Sequence, residues 1–247
     1  MDTVTPDLWR QLLLRAPADS GVPLFGPLLS PVAGACGCFV LGRVAQTLDG
    51  FIAMPGGESH WISGPDDITH THRLRALFDV VLVGAGTVRA DNPRLTTRLV
   101  EGPSPLRVVI DPDRRLDDSY HVFQSGPETL LVCAKDAAPG DRVGQATVVR
   151  VPRSNGGIDP RDILTMLARR GARRVFVEGG GITVSRFLSA GVLDRLHVTV
   201  APLLIGAGIP AFPLPPVGAL GDGRRFDWSV HKIGRDILLD IALPRAP

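Results

Sequence analysis

The sequence predicts an α/β fold: a mixed, mostly parallel sheet flanked by helices, with a C-terminal antiparallel hairpin. Three observations carry that prediction. From Cys38 onward, short runs rich in valine and isoleucine alternate with helix-like stretches, the order expected of strands joined by crossover connections. The 22 prolines and 28 glycines are spread along the chain, which suits many short loops rather than a disordered tail. After Gly206 the pattern changes: FDWSVHKIGRDILLDIAL alternates apolar and polar residues on either side of Ile233-Gly234-Arg235-Asp236, as an antiparallel hairpin does.

In chain order, residues 1–35 read as an extension, with one amphipathic helix around Pro6 to Arg15 and then the Gly/Pro-rich connection GVPLFGPLLSPVAGACG. Residues 36–247 read as one domain. Its strands are expected at FVLGRVAQ, FDVVLVG, LRVVID, TLLVCA, ATVVRV, RRVFVEG and LHVTVAPLLIG. The helix IDPRDILTMLARRGA has clear ends: Asp159 is placed to cap it, Pro160 takes the first helical position, and Gly171 follows its end.

Composition narrows the function classes. With 247 residues, 44% of them hydrophobic, and a net charge of +2, the chain can bury the core of an ordinary globular domain. It has no basic stripe interleaved with aromatics, which argues against a nucleic-acid partner. No run of about 18 apolar residues occurs, and the N-terminus lacks the basic-then-apolar build of a signal peptide, so no membrane partner and a cytoplasmic location are expected. Cys36, Cys38 and Cys133 are read as free thiols, because the CGC pair lacks zinc-ligand spacing. No metal site is expected from Asp67, His60, His70 and His72, since the HTH spacing sends its two histidines to different helix faces.

Three clusters carry candidate chemistry. In VFVEGGGITVSRFL a buried strand ends at Glu178 and runs into Gly179, Gly180 and Gly181. Glycines there let backbone N–H groups approach a ligand closely, and the helix expected over Ile182 to Ala190 points its positive end at the same spot. This is a place for a pyrophosphate or, with no ligand, a tight turn. In TLDGFIAMPGGESHWISGPDD, Trp61 either stacks on a flat heterocycle or covers the edge of the core, and the Ser59 hydroxyl is placed to bond a substrate. In VLVGAGTVRADNPRLTTR a strand leads into Gly84, Gly86 and Thr87, followed by Asp91, Asn92, Thr96, Thr97 and Arg98. Arg98, with Arg75 on the preceding helix, suits a phosphate because a guanidinium forms paired, charge-assisted hydrogen bonds.

With these motifs in order, from Phe39 to the C-terminus the chain resembles the reductase domain of the riboflavin-biosynthesis deaminase/reductase, a relative of dihydrofolate reductase. The motifs carrying the match are TLDGFIA with GESHWIS, VGAGTVRADNPRLTTR, VEGGGITVSRFL, APLLIG and IGRDILLDI. The resemblance implies a dihydrofolate reductase-like fold. It also implies an NADPH-dependent reduction of 5-amino-6-(5-phosphoribosylamino)uracil, with hydride delivered to C1′ so that the ribosyl group opens to ribityl. By motif position it implies substrate contacts at Ser59, Arg75, Leu95, Arg98 and Glu178. Cofactor contacts fall at Ala45, Trp61, Thr87, Asp91, Pro112 and the loop Gly180, Gly181, Ile182, Thr183, Val184, Ser185 and Arg186. A homodimer is also implied, with LHVTVAPLLIG as one candidate surface.

The reaction needs hydride held close to C1′, charge stabilisation at that carbon, and a proton for the departing ring oxygen. Glu178 is expected to anchor substrate and stabilise positive charge; Asp91 is expected to relay the proton or orient the cofactor. Arg114 and Arg115, after the strand LRVVID, either hold a 2′-phosphate or are simply solvated. Two features depart from the family. The H-x-E and P-C-x-x-C zinc motifs of its deaminase are missing, which implies deamination by a separate protein. Arg43 stands where relatives often carry lysine, and arginine does not give up its proton near neutral pH. Reduction of a different pterin or aminopyrimidine, and a catalytically silent ligand-binding role, are the alternatives.

Overall fold

The computed structural model describes residues 4–14, 23–29, 37–60, 62–154 and 157–244. Trp61, Cys36 and the expected helix end at Arg15 lie outside the described residues. The helices are α1 (Pro6–Leu13), α2 (Gly26–Leu29), α3 (Pro65–Leu77), α4 (Ala85–Asp91), α5 (His121–Gln124), α6 (Pro160–Arg169) and α7 (Gly181–Ser189). The strands before α6 are β1 (Phe39–Thr47), β2 (Phe51–Ala53), β3 (Val80–Gly84), β4 (Leu106–Ile110), β5 (Thr129–Ala134), β6 (Arg142–Val143) and β7 (Ala146–Val151). Those after it are β8 (Arg174–Glu178), β9 (Arg195–Ala201), β10 (Ile209–Pro210), β11 (Trp228–Ile233) and β12 (Asp236–Ala242).

Ten of these strands make one sheet in the order β11-β12-β9-β1-β8-β3-β4-β5-β7-β6. Its middle, from β9 to β7, is parallel. The two ends are antiparallel, with β12 and β11 at one edge and β6 at the other. All seven predicted strands and the hairpin are present, although β9 stops at Ala201, short of the Gly206 expected for LHVTVAPLLIG, and the hairpin turns at Gly234 with φ of +58°. The pieces that hydropathy does not announce are the two- and three-residue strands β2, β6 and β10. Such segments are too short to show a period.

Both faces of the parallel sheet are covered, which explains its near-continuous apolar strands. In β3, Val81 and Val83 face one core cluster while Val80 and Leu82 face the other. The first cluster also takes Leu74 and Leu77 of α3 and Val88 of α4; the second takes Ile163 and Leu167 of α6 and Val184 and Phe187 of α7. The chain's first residues join the former: Trp9, Leu12, Phe25 and Leu28 are buried there, and the Trp9 indole donates to the Glu101 carbonyl at 2.8 Å. Helix α6 begins as read, with the Asp159 carboxylate accepting from the Arg161 N–H at 2.8 Å. Cys133 is a buried free thiol on β5. Among the described residues, no helix is long and apolar enough to cross a membrane.

Candidate active site

A cleft of about 960 Å³ opens where β1, β3, β4 and β8 end. Parallel strands deliver their following loops to this edge, the usual ligand position in open α/β sheets. Helix α4 packs on one face of the sheet and α7 on the other, so the cleft lies between their first turns.

One half of the cleft is made of charged side chains already paired. Glu178, the last residue of β8, accepts from Arg75 of α3 at both carboxylate oxygens: Nε to Oε2 at 2.7 Å and Nη2 to Oε1. Arg75 Nη1 donates to the Thr96 carbonyl at 3.0 Å. Each guanidinium nitrogen of Arg75 is therefore committed, whereas Arg98 lines the cleft from an exposed position at its mouth. The Arg98 backbone N–H donates to His72 Nδ1 at 3.1 Å. Burial, with Arg75 and Arg98 adding repulsion, pushes His72 down to about 4. His72 is thus a neutral ring with its proton on Nε2, lining the cleft beside Glu178.

Arg43 of β1 makes a buried ion pair with Asp67 of α3, and Asp67 Oδ1 accepts from the Thr199 hydroxyl at 2.7 Å. Burial opposes ionisation of Asp67, but the Arg43 charge and hydrogen bonds from Arg43, Ser63 and Thr199 outweigh it and hold the carboxyl at about 2. Behind this pair, His70 stacks on His197 with ring centroids 5.7 Å apart, and His197 Nε2 lies 3.2 Å from Asp240, which Arg195 grips through two hydrogen bonds. Burial keeps both histidines below their ordinary value. Arg43 is accordingly a fixed cation in the wall of the cleft.

Across the mouth, the Ser59 hydroxyl donates to Asp91 Oδ1 at 2.9 Å, joining the loop after β2 to the end of α4. Asn92 then ends α4 in the left-handed region, and Leu95, 1% exposed, follows with φ of +54°. A branched side chain in that region costs roughly 1–2 kcal/mol. Arg107 of β4 holds the loop there, donating to the Arg94 carbonyl at 3.2 Å while its other nitrogens reach Thr129 and Pro127.

The other half of the cleft is made of backbone. Gly179 and Gly180 both have positive φ, +73° and +71°, and Gly180 passes so close to α4 that a Cβ would lie 2.7 Å from the Thr87 hydroxyl oxygen. Gly181 starts α7 against the Ala211 and Pro210 carbonyls, where a Cβ would lie 2.6 and 2.8 Å away. Gly180, Gly181 and Ile182 line this side of the cleft, and the unpaired first N–H groups of a helix offer donors and positive charge to an anion.

Most of the residues expected from the sequence come together here. Ser59, Arg75, Leu95, Arg98 and Glu178 line the cleft with Ala45, Thr87, Asp91, Pro112, Gly180, Gly181, Ile182, Thr183 and Arg186. Val184 and Ser185 do not: helical periodicity turns both side chains into the protein, and Val184 joins the core. Trp61 lies outside the described residues. Arg114 takes neither of its two alternatives, phosphate ligand or solvated charge, since its guanidinium donates to the carbonyls of Ala138, Pro139, Gly140 and Arg142. Arg115 pairs with Asp113. Sequence reasoning passed over His72, Asp67 and Arg107. An aspartate and two histidines in the first turns of a helix before Arg75 were the available signal, read only for metal chemistry.

The family profile described as "RibD C-terminal domain" matches residues 39–239. The riboflavin biosynthesis protein RibD of Bacillus amyloliquefaciens is 34% identical over 214 residues, 84% of this chain and 57% of that protein. The 2,5-diamino-6-ribosylamino-4(3H)-pyrimidinone 5′-phosphate reductase of Methanothermobacter thermautotrophicus is 34% identical over 173 residues, 68% of this chain and 79% of that protein. The crystal structure of the diaminohydroxyphosphoribosylaminopyrimidine deaminase/5-amino-6-(5-phosphoribosylamino)uracil reductase of Thermotoga maritima superposes with a TM-score of 0.71 at 28% identity, over 84% of this chain and 57% of that one. The chain spans little more than half the length of such bacterial relatives. On the profile and on these identities, the chain belongs to the RibD C-terminal domain family.

Proposed function

We propose that the chain is an NADPH-dependent reductase of a phosphoribosylaminopyrimidine, turning the ribosyl group of 5-amino-6-(5-phosphoribosylamino)uracil, or of its diamino counterpart, into ribityl in the cytoplasm. One observation carries this reading: Glu178, bound in the charged half of the cleft, is joined through a single residue to Gly180 of the backbone-lined half. A hydride donor in one half and an acceptor in the other would meet at that seam.

The cofactor, when bound, supplies the hydride. Gly180, Gly181, Thr183 and Thr87 are the residues to hold it, with Ala45 and Pro112 further along the cleft. Arg98 takes the substrate phosphate. Arg75 fixes the Glu178 carboxylate in one orientation, so its charge is in place before positive charge develops at C1′ and costs no reorganisation then. Asp91, oriented by Ser59, relays a proton taken up from solvent to the ring oxygen as the sugar opens. Arg43 holds charge and shape but moves no proton. A homodimer is part of the reading; the strand part of LHVTVAPLLIG, β9, lies inside the sheet between β12 and β1, so the face of the β11–β12 hairpin that leaves Trp228, Val230 and Ile237 exposed is the surface we assign to it instead.

The test follows NADPH absorbance with the phosphoribosyl substrate, with its dephosphorylated form and with dihydrofolate. Oxidation with the first alone is expected. Turnover of dihydrofolate instead would replace this substrate class with a pterin, and no oxidation with any of them would sink the enzymatic reading.

A further inference from the structure

We infer that the Arg186 side chain selects a 2′-phosphorylated dinucleotide over its unphosphorylated counterpart. The inference rests on the cofactor reading above and adds the residue that gives it its preference.

Beyond the glycines, the cleft lining on the α7 side includes the apolar Ile110, Ile158, Pro160, Ile163 and Phe187. A nucleoside held against that apolar wall would carry a phosphate on its ribose that needs a cation nearby. Three arginines near that end are already engaged. Arg114 is spent on four backbone carbonyls, Arg115 pairs with Asp113, and Arg153 bridges Asp113 and Asp136. Asp113 itself lines the cleft, but these two partners offset its charge.

Arg186 differs from all three. It lines the cleft from α7, is exposed, and makes no side-chain hydrogen bond or ion pair among the described residues. Its guanidinium lies against Gly157, so closely that a Cβ at that position would overlap Nη1. The chain thus carries a glycine where the cation needs room. Arg186 lies five positions after Gly181, about 7.5 Å along the helix axis. A pyrophosphate at the start of α7 and a 2′-phosphate one ribose further along the same nucleotide would be spaced on that scale. Arg89 also lacks a partner among the described residues, but it rises from α4, whose Val88 packs on the opposite face of the sheet from the apolar wall. A guanidinium with open nitrogens binds a phosphate dianion bidentately, and nothing in an unphosphorylated ribose replaces that contact.

The experiment measures calorimetric binding of adenosine 2′,5′-bisphosphate and of 5′-AMP to the full chain, with no turnover required. Wild type, Arg186→Ala, Arg186→Lys, Arg89→Ala and Arg115→Ala are compared, and thermal melts check that each is folded. Arg186→Ala is expected to weaken the bisphosphate roughly 10- to 100-fold and leave 5′-AMP unchanged. Arg186→Lys should recover part of the loss, since a point charge remains without the fork. Arg115→Ala should change neither ligand. Undiminished preference in folded Arg186→Ala, or its loss in Arg89→Ala instead, would overturn the inference. Equal binding of both ligands by wild type would also overturn it while leaving the cofactor site standing; failure of wild type to bind either would remove the cofactor reading itself.

Discussion

The two halves of the cleft are built from different materials. The half that begins at Glu178 and runs through Arg75, His72, Arg43 and Asp67 consists of largely buried polar side chains, with Arg75 paired to Glu178 and Arg43 to Asp67, while Arg43 Nε has no partner among the described residues. The half that begins at Gly180 relies instead on positive φ, missing Cβ atoms and the start of a helix, with Thr87, Thr183 and Arg186 at its sides. Ions withdrawn from water need fixed partners, so the first half depends on its pairs for stability. Room and N–H donors cost little in stability, so the second half depends on side chains being absent.

That contrast can be broken by substitution. The largest effect is expected for Glu178→Ala, which strands Arg75, a side chain only 8% exposed. Chemical denaturation should show a loss of about 3–5 kcal/mol, partly restored by a second change, Arg75→Met. A loss below about 1 kcal/mol would mean that the pair is not structural. Next comes Gly181→Ala, whose Cβ would meet two carbonyl oxygens at 2.6 and 2.8 Å. A destabilisation of about 1–3 kcal/mol is expected there, with a clear fall in dinucleotide affinity by calorimetry.

Acid should sharpen the comparison on the charged side alone. Asp67 ionises at about 2 in the folded chain against 3.8 ordinarily, so its contribution is present above pH 4 and lost as pH falls from about 4 towards 2. That shift corresponds to about 2 kcal/mol, and Asp67→Asn should abolish this part of the pH dependence measured by urea unfolding. His72, lowered from 6.5 to about 4, acts in the window above it. The unfolded chain takes up this proton first, so stability should erode as pH drops from 6.5 towards 4, and His72→Gln should flatten that slope. The smallest effect belongs to Gly86→Ala in α4, where a Cβ meets nothing within 4 Å. It should raise stability by about 0.5–1 kcal/mol. If calorimetry also shows unchanged dinucleotide binding, the cradle does not extend to Gly86.

The same contrast explains what could be read from the sequence. Buried parallel strands such as VVLVG and TLLVCA, the Asp159-Pro160 helix start and the C-terminal hairpin were all legible, because each depends on local pattern. So was the glycine half of the cleft, where a run of glycines marks a backbone that must come close. The charged half was legible only as residue types. Arg75 looked like a phosphate ligand because it is basic and near Arg98, yet Glu178, 103 positions later, is what it holds. Arg43 and Asp67, or Arg107 and the Arg94 carbonyl, meet through tertiary packing that no local period encodes. Arg114 shows the converse: an apparently spare arginine is used up by a loop whose carbonyls no motif advertises.

The junction at Glu178 has one more consequence. Gly179 donates its N–H to the Arg43 carbonyl at 3.1 Å, so β8 stays zipped to β1 one residue past the carboxylate, and Gly180 follows at once. Adjacent Cα atoms lie about 3.8 Å apart whatever happens elsewhere. The spacing between the two halves is thus a covalent ruler anchored in the sheet. Breathing of α3 or α4 can loosen the grip on either ligand, but the marks on that ruler do not move.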